Sequence, residues 1–295
     1  MNFFPHITIT SYFCRIKVKM KSISPMNNAL CALVAVALVA SSCANSYNVE
    51  GSSSVSSLDG SKLYLRTVAD NELKSLDSCA VLHGEFHFSG VLDTVRMATL
   101  FMDNESLLPV VLEEGDIRIK IDNAGQSVSG TPMNDRLYEF LDKHKQLANQ
   151  MGELSHKQSQ MLLDGIDEAI INEQLSAEAA VISGKEDSLV TNFISDNFDN
   201  VLGPGVFMMI TSAYRYPILT PQIEHIMSMA TDKFKNNPYV SSYYRTASEN
   251  EARMQGFDIP AGDSAAGTAQ AADSLGRMAA GQDTSMVDYN SEPQP

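Results

Sequence analysis

Between residues 47 and 130 the apolar positions recur every second residue, in short runs parted by polar or glycine-containing turns. Lys62-Leu63-Tyr64-Leu65-Arg66-Thr67-Val68 alternates in this way, and so does Asp116-Ile117-Arg118-Ile119-Lys120-Ile121-Asp122. A period of two places successive side chains on opposite faces, so each run predicts a half-buried β-strand. Residues 47–51, 76–82, 85–90, 95–102 and 107–113 predict further strands, and Val128-Ser129-Gly130 a short last one. His83-Gly84 joins two of these runs, and its glycine suits the positive φ of a two-residue hairpin turn. Phe86 and Phe88 then share one face, with Glu85, His87 and Ser89 on the other. Successive strands with tight turns imply an antiparallel β-sandwich or a strongly curved meander over residues 47–130.

At Thr131-Pro132 the period changes. Thr131 is placed to cap a helix with Pro132 in its first turn. Met133, Leu137, Phe140, Leu141, His144, Leu147, Met151 and Leu154 follow at spacings of three and four, the stripe of one long amphipathic helix. Residues 160–182 and 185–198 predict further helices, parted at Ser183-Gly184. Gly203-Pro204-Gly205 predicts a break before the apolar residues 206–210. Thr220-Pro221 opens a short helix, and Pro238 precedes a last one that runs to Met254. The expected fold class is α+β: an N-terminal antiparallel β domain (47–130), then a helical bundle (131–257). From 258 to 295 Ala, Gly, Ser and Asp surround single apolar residues, too few to offset the entropy of ordering, which predicts a disordered acidic C-terminal tail.

The first residues change the picture of where this domain resides. Arg15, Lys17, Lys19 and Lys21 precede an apolar run over 29–40, and Ala40, Ser41 and Ser42 lead into Cys43. This predicts a secretory signal peptide over 1–42, with Met20 or Met26 as alternative true starts. The run is about a dozen residues, short of the roughly 20 needed to span a bilayer, so it predicts a leader to be removed. Val39-Ala40-Ser41-Ser42-Cys43 resembles a bacterial lipobox. That resemblance implies a diacylglyceryl thioether on Cys43 and a lipidated N-terminus over 43–46, with several acyl chains holding the protein to a membrane.

Acidic residues outnumber basic ones 36 to 21, for a net charge of −15. The leader holds four basic residues and no acidic one, so its removal leaves −19. Such a polyanion repels phosphate backbones, which excludes nucleic acid as a partner and leaves the lipid on Cys43 as the expected membrane contact. Of four cysteines, Cys14 and Cys31 fall in the leader and Cys43 is the anchor, so Cys79 stands alone in the folded part. No disulfide is expected within the processed chain, and no CxxC occurs to support dithiol chemistry.

Six segments carry a family resemblance. Tyr47-Asn48-Val49-Glu50-Gly51, Lys62-Leu63-Tyr64-Leu65, Leu76-Asp77-Ser78, Gly84-Glu85-Phe86-His87-Phe88-Ser89-Gly90, Leu112-Glu113-Glu114-Gly115-Asp116-Ile117 and Ser129-Gly130-Thr131-Pro132-Met133-Asn134 together resemble the β domain known as domain of unknown function 4369, over about residues 46 to 135. The resemblance implies a Bacteroidetes lipoprotein in which this domain leads into a helical stretch and often precedes a thioredoxin-like or peroxiredoxin-like domain. The chain follows that plan as far as Met254-Gln255-Gly256, then departs into the Ala/Gly/Ser tail. No catalytic cysteine pair carries over, so the redox activity of such relatives is not implied for this chain.

Candidate chemistry is sparse. Glu113, Glu114 and Asp116 form the densest carboxylate group outside the tail and are expected to be a solvated turn. His83 and His87 have no third ligand of matched spacing, so no metal site is expected. His144 is expected to be partly buried on its helix. Cys79 is expected as a small buried residue, with redox contact to a partner reductase as the sharper alternative. Asp263-Ser264-Ala265 and Asp273-Ser274-Leu275 are similar to the periplasmic O-glycosylation motif of Bacteroidetes, which implies Ser264 and Ser274 as acceptors; Asp93-Thr94-Val95 and Asp187-Ser188-Leu189 also fit it. No HExxH, GxSxG, P-loop or dinucleotide motif occurs, so neither catalytic residues nor a cofactor are expected.

The expected function is that of a non-catalytic, membrane-anchored cell-envelope lipoprotein. It would be held to the outer or inner membrane, face the periplasm, and act as an interaction or scaffolding module for another envelope protein. The alternative is an accessory subunit of a separate periplasmic thioredoxin-like oxidoreductase. Glycan capture by the β domain ranks last, because tryptophan is absent and aromatics make up only 7% of the chain.

Overall fold

The computed structural model describes residues 45–69 and 72–256. The leader, Cys43, the tail, and with it Ser264 and Ser274, lie outside the described residues. Eight strands come first: β1 (Ser46–Ser53), β2 (Lys62–Ala69), β3 (Glu72–Ala80), β4 (Glu85–Val91), β5 (Arg96–Met102), β6 (Glu105–Leu112), β7 (Gly115–Asp122) and β8 (Gly125–Ser129). Six helices follow: α1 (Pro132–Leu163), α2 (Glu168–Ser195), α3 (Leu202–Thr211), α4 (Pro221–Met229), α5 (Asp232–Lys235) and α6 (Pro238–Met254). The fold is α+β, as the periodicities predict.

The strands form two four-stranded sheets, ordered β4-β1-β7-β8 and β3-β2-β5-β6. All pairs are antiparallel except β1 with β7, which run parallel. In the first sheet Val49, Phe88, Ile117, Ile119 and Val128 are buried while their neighbours in sequence face water, the alternation of a sheet with one wet face. In the second sheet burial runs unbroken from Ala98 to Phe101 and from Leu108 to Leu112. Both faces of β5 and β6 are covered, because helices pack on the face that the first sheet leaves free. One hydrophobic core spans the two sheets and the helical part, from Val49 and Leu63 to Phe207 and Val240.

The two-residue turn at His83-Gly84 forms, with φ of 54° and 76° and reciprocal hydrogen bonds between Leu82 and Glu85, but it does not make a hairpin. β3 pairs with β2 in one sheet and β4 with β1 in the other, so the turn hands the chain across the sandwich. Local turn chemistry sets the reversal; burial chooses the partner. Phe86 and Phe88 pair opposite Gly51 and Val49 on β1, and their rings meet edge-on at 6.2 Å inside the sandwich. Gly51 is required for this. A Cβ there would stand 2.0 Å from the Phe86 ring, which lies flat across the strand.

Two expected helix breaks are also displaced. α2 runs through Ser183-Gly184 unbroken, with Ser188 Oγ donating to the Gly184 carbonyl at 2.8 Å. The reversal comes earlier, at Asp164-Gly165, where Gly165 takes a φ of 74° and Asp167 caps α2 by accepting from the Ala169 N–H. α1 and α2 therefore form one long antiparallel hairpin, whose mutual packing outweighs the roughly 1 kcal/mol that a helical glycine costs. Gly203-Pro204-Gly205 does not end a helix but lies in the first turn of α3, where a proline lacks no hydrogen bond that the helix would have made. The expected starts at Pro132, Pro221 and Pro238 are those observed.

Candidate functional site

Two of the segments that carry the family resemblance, those around Glu113 and Asn134, meet at a structural joint. β6 is an edge strand, and its unpaired backbone groups are a ready template for aggregation unless something covers them. The first two turns of α1 do so. Asn134, fully buried, accepts from the Val111 N–H and donates to the Val111 carbonyl, and its amide also donates to Thr131 Oγ1 at 2.8 Å. One helical turn on, the Tyr138 hydroxyl donates to the carbonyl of Pro109 at 2.9 Å; Pro109 itself has no N–H to satisfy. In return, the Glu113 carboxylate just beyond β6 accepts from the backbone N–H groups of Met133 and Asn134 at 2.8 and 3.1 Å.

Glu113 thus does not belong to the solvated turn expected of the three acids. It is buried, and it supplies the N-terminal cap of α1 that Thr131, although at the cap position, does not. A carboxylate on the first N–H groups of a helix is favoured by hydrogen bonding and by the helix dipole together. Glu114 and Asp116 remain exposed. The signal that could have found the joint was the presence of Glu113 and Asn134 in two of the segments that carry the family resemblance; strand-edge pairing by a side chain has no periodicity to read.

A second feature lies where α3 meets the outer face of β2 and β5. A cavity of about 310 Å³ opens there, near the lower end of the range for small-molecule sites. Val68, Leu73, Met97, Val201 and Met208 give it an apolar lining, and Arg66 and Lys233 line it as well, while the Arg96 side chain lies on the opposite face of β5, toward Tyr47. No carboxylate occurs among the described residues that line it. The Arg66 guanidinium rests over the Tyr64 and Phe101 rings at 4.9 and 4.8 Å, and Lys233 Nζ donates to the Asp199 carbonyl at 2.6 Å. Gly205 admits the Met97 side chain to the wall, since a Cβ there would stand 2.9 Å from Met97 Cγ. Sequence reasoning missed this site, because its residues come from β2, β3, β5, α3 and α5 and share no spacing.

The other singled-out residues stay apart. Cys79 is half-buried on β3, paired with Leu63, and borders a wide groove shared with Glu50, His87 and Arg118. Burial pushes its thiol up from the usual value and the nearby Asp77 charge adds to this, while the His87 backbone N–H pulls the other way. His83 and His87 are exposed, and among the described residues no group of three His, Cys, Asp or Glu could hold a metal ion. His144 is partly buried, with Nε2 3.0 Å from Glu186 and its ring against Phe140. Thr94 sits on an exposed loop, whereas Ser188 is inside α2. No described helix is long and apolar enough to cross a membrane.

Fold and joint define a β-sandwich domain locked to a helical extension. Residues 47–137 match the family model described as a domain of unknown function (DUF4369), a range that runs from Tyr47 in β1 through β8 to Leu137 in the first turns of α1. No curated protein matches the chain.

Proposed function

We propose that this protein is a non-catalytic, lipid-anchored cell-envelope protein that acts as an interaction module, and that the tip of the α1–α2 hairpin is the part that engages its partner. The observation that carries this reading is the apolar surface at that tip. Leu162, Leu163, Ile166 and Ile170 are exposed together, Leu163 by 89%, while Met161 and Ile171 beside them are buried. A contiguous exposed apolar patch rimmed by polar residues marks an interaction site. Asp164, Asp167 and Glu168 flank it, which disfavours an anionic bilayer surface and suits a protein with an apolar pocket and a basic rim.

In this reading the lipid on Cys43 holds the chain at the outer or inner membrane, and the hairpin engages the partner. A role as accessory to a thioredoxin-like enzyme is less well supported, since a half-buried thiol with a raised pKa holds little thiolate. The test is a photo-crosslinking residue at Leu163 in cells, compared with one at Lys145 on the same hairpin, together with metabolic acyl labelling of wild type and Cys43→Ser. One discrete crosslinked protein from Leu163 only, and acyl label lost in Cys43→Ser, are expected. No adduct at Leu163, or equal adducts at both positions, overturns the interaction reading, and label retained in Cys43→Ser overturns the anchor.

A further inference from the structure

The apolar surface at the hairpin tip continues along one side of α2. We propose that the partner lays an amphipathic α-helix with a basic edge on that side; this rests on the interaction reading above and names the chemistry of the partner. Ile170 and Val181 are 57% and 58% exposed, whereas Ile171 and Ile182, each the next residue in the chain, are buried. Eleven residues make about three helical turns, so Ile170 and Val181 share one face. Ala177 and Gly184, both exposed, follow Ile170 at steps of seven and lie on that face as well. Ile170 joins this stripe to Leu163 and Ile166 at the tip.

Gly184 indicates what the face is shaped for. Glycine is among the poorest helix formers, yet Gly184 lies inside α2, and a Cβ there would meet nothing within 4 Å. The packing of the single chain does not call for it. Together with Ala177 it leaves a shallow trough beside Val181 that admits the ridge of a second helix at close range.

A helix already occupies the same side of α2 nearer the body. Thr191 is the next residue in the series of seven after Gly184, and there α4 packs: Gln222 Nε2 donates to the Asp187 carbonyl at 3.2 Å and to Thr191 Oγ1 at 3.5 Å. From Gly184 toward the tip no described element continues that layer, and Ile170, Ala177 and Val181 stay exposed.

Charge defines the partner's edge. On α2, Glu178 and Glu186 are engaged by Lys157 and His144 of α1. Glu173 and Asp187 remain exposed, Lys185 is the only base in the helix, and Asp164 and Asp167 stand at the tip. A helix with Lys or Arg beside its apolar stripe complements these carboxylates, whereas a second copy of α2 would bring like charges together.

The test is a scan of photo-crosslinking residues along α2 in cells, read beside the Leu163 position. The adduct formed from Leu163 is expected also from Ile170, Ala177 and Val181, and not from Asn172, Ser176 and Ser183, which are exposed on another flank. The crosslinked segment of the partner, identified by mass spectrometry and synthesised as a peptide, should carry Lys or Arg beside a helical apolar stripe. Titrated into the purified chain, it should gain helix by circular dichroism. Val181→Asp and Gly184→Leu should each weaken the peptide at least tenfold. Gly184→Leu should at the same time raise the urea midpoint, because it improves helix propensity, so its loss of binding is not a loss of fold. If Val181→Asp lowers the midpoint, Gly184→Leu decides. An adduct at Leu163 with none at Ile170 and Val181, or with an equal one at Asn172, overturns this inference and leaves the tip reading standing. A crosslink to a second copy, or a partner segment that is acidic or stays unstructured, overturns it too. No adduct at Leu163 or along α2 overturns both readings.

Discussion

Asn134 Oδ1 accepts from the Val111 N–H at 2.8 Å while its Nδ2 donates to the Val111 carbonyl at 2.7 Å, so a single helical side chain pairs with a strand-edge residue as another strand would. The pairing welds α1 to β6 and closes an edge that would otherwise be open to another chain. Because it lies at the junction of sandwich and helices, its loss should be felt in both.

Asn134→Ala leaves both Val111 backbone groups buried and unpartnered, and should cost about 3 kcal/mol of stability. Asn134→Asp should cost more, because it places a second carboxylate beside Glu113 and removes the donor to the Val111 carbonyl. Urea midpoints with an unchanged slope measure both. A loss below that of Tyr138→Phe, for which one hydrogen bond worth about 1 kcal/mol is removed, would contradict the edge-pairing account.

Glu113→Gln keeps an acceptor oxygen for the Met133 and Asn134 N–H groups but loses the charge. It should be milder than Glu113→Ala, with a gap of about 1 kcal/mol. Amide exchange at Met133 and Asn134 should quicken in Glu113→Ala and remain slow in Glu113→Gln.

Gly51→Ala thrusts a methyl group into the Phe86 ring and should destabilise by about 1–3 kcal/mol. Phe86→Leu in the same chain removes the edge of the ring that clashes, so the double variant should lose less than the sum of the two single changes. Additive losses would show that the ring does not lie across Gly51.

Tyr243 gives a pH dependence of defined sign. Burial pushes its hydroxyl up to about 12 from an ordinary 10, and the neutral side chain donates to the Ile218 carbonyl at 3.1 Å. The folded state therefore holds its proton more tightly than the unfolded chain does. The resulting stability is full below pH about 10 and is lost as pH rises toward 12. Tyr138 and Tyr239, also raised by burial, act in the same direction. Tyr243→Phe should be less stable at neutral pH and show a shallower alkaline decline of the urea midpoint.

Cys79 should react with an alkylating reagent at neutral pH at least tenfold more slowly in the folded protein than in urea, since burial withholds both access and thiolate. Equal rates would return the redox-accessory reading to first place.

Much of this architecture is legible in local pattern. The Ile117, Ile119 and Ile121 alternation gives β7, and the change of period at Thr131-Pro132 gives the start of α1, because one-sided burial and helix-start chemistry are properties of a few adjacent residues. The break at Gly165 rather than Gly184 was not legible. Both are glycines in a helical pattern, and only the packing of α1 on α2 tells a stop from a passage.

What the sequence by itself determined is the class and order of the elements, the acidic balance, and the segments that match a known domain. The tertiary structure decided the rest: that His83-Gly84 passes the chain between sheets, that Glu113 is a cap and not a solvated acid, and that Met97, Val201 and Met208 meet around one cavity. Periodicity records which face of an element is buried, but which distant element buries it depends on the total free energy of the packed chain. A pairing between residues 23 apart, such as Val111 and Asn134, leaves no trace in the spacing of either neighbourhood.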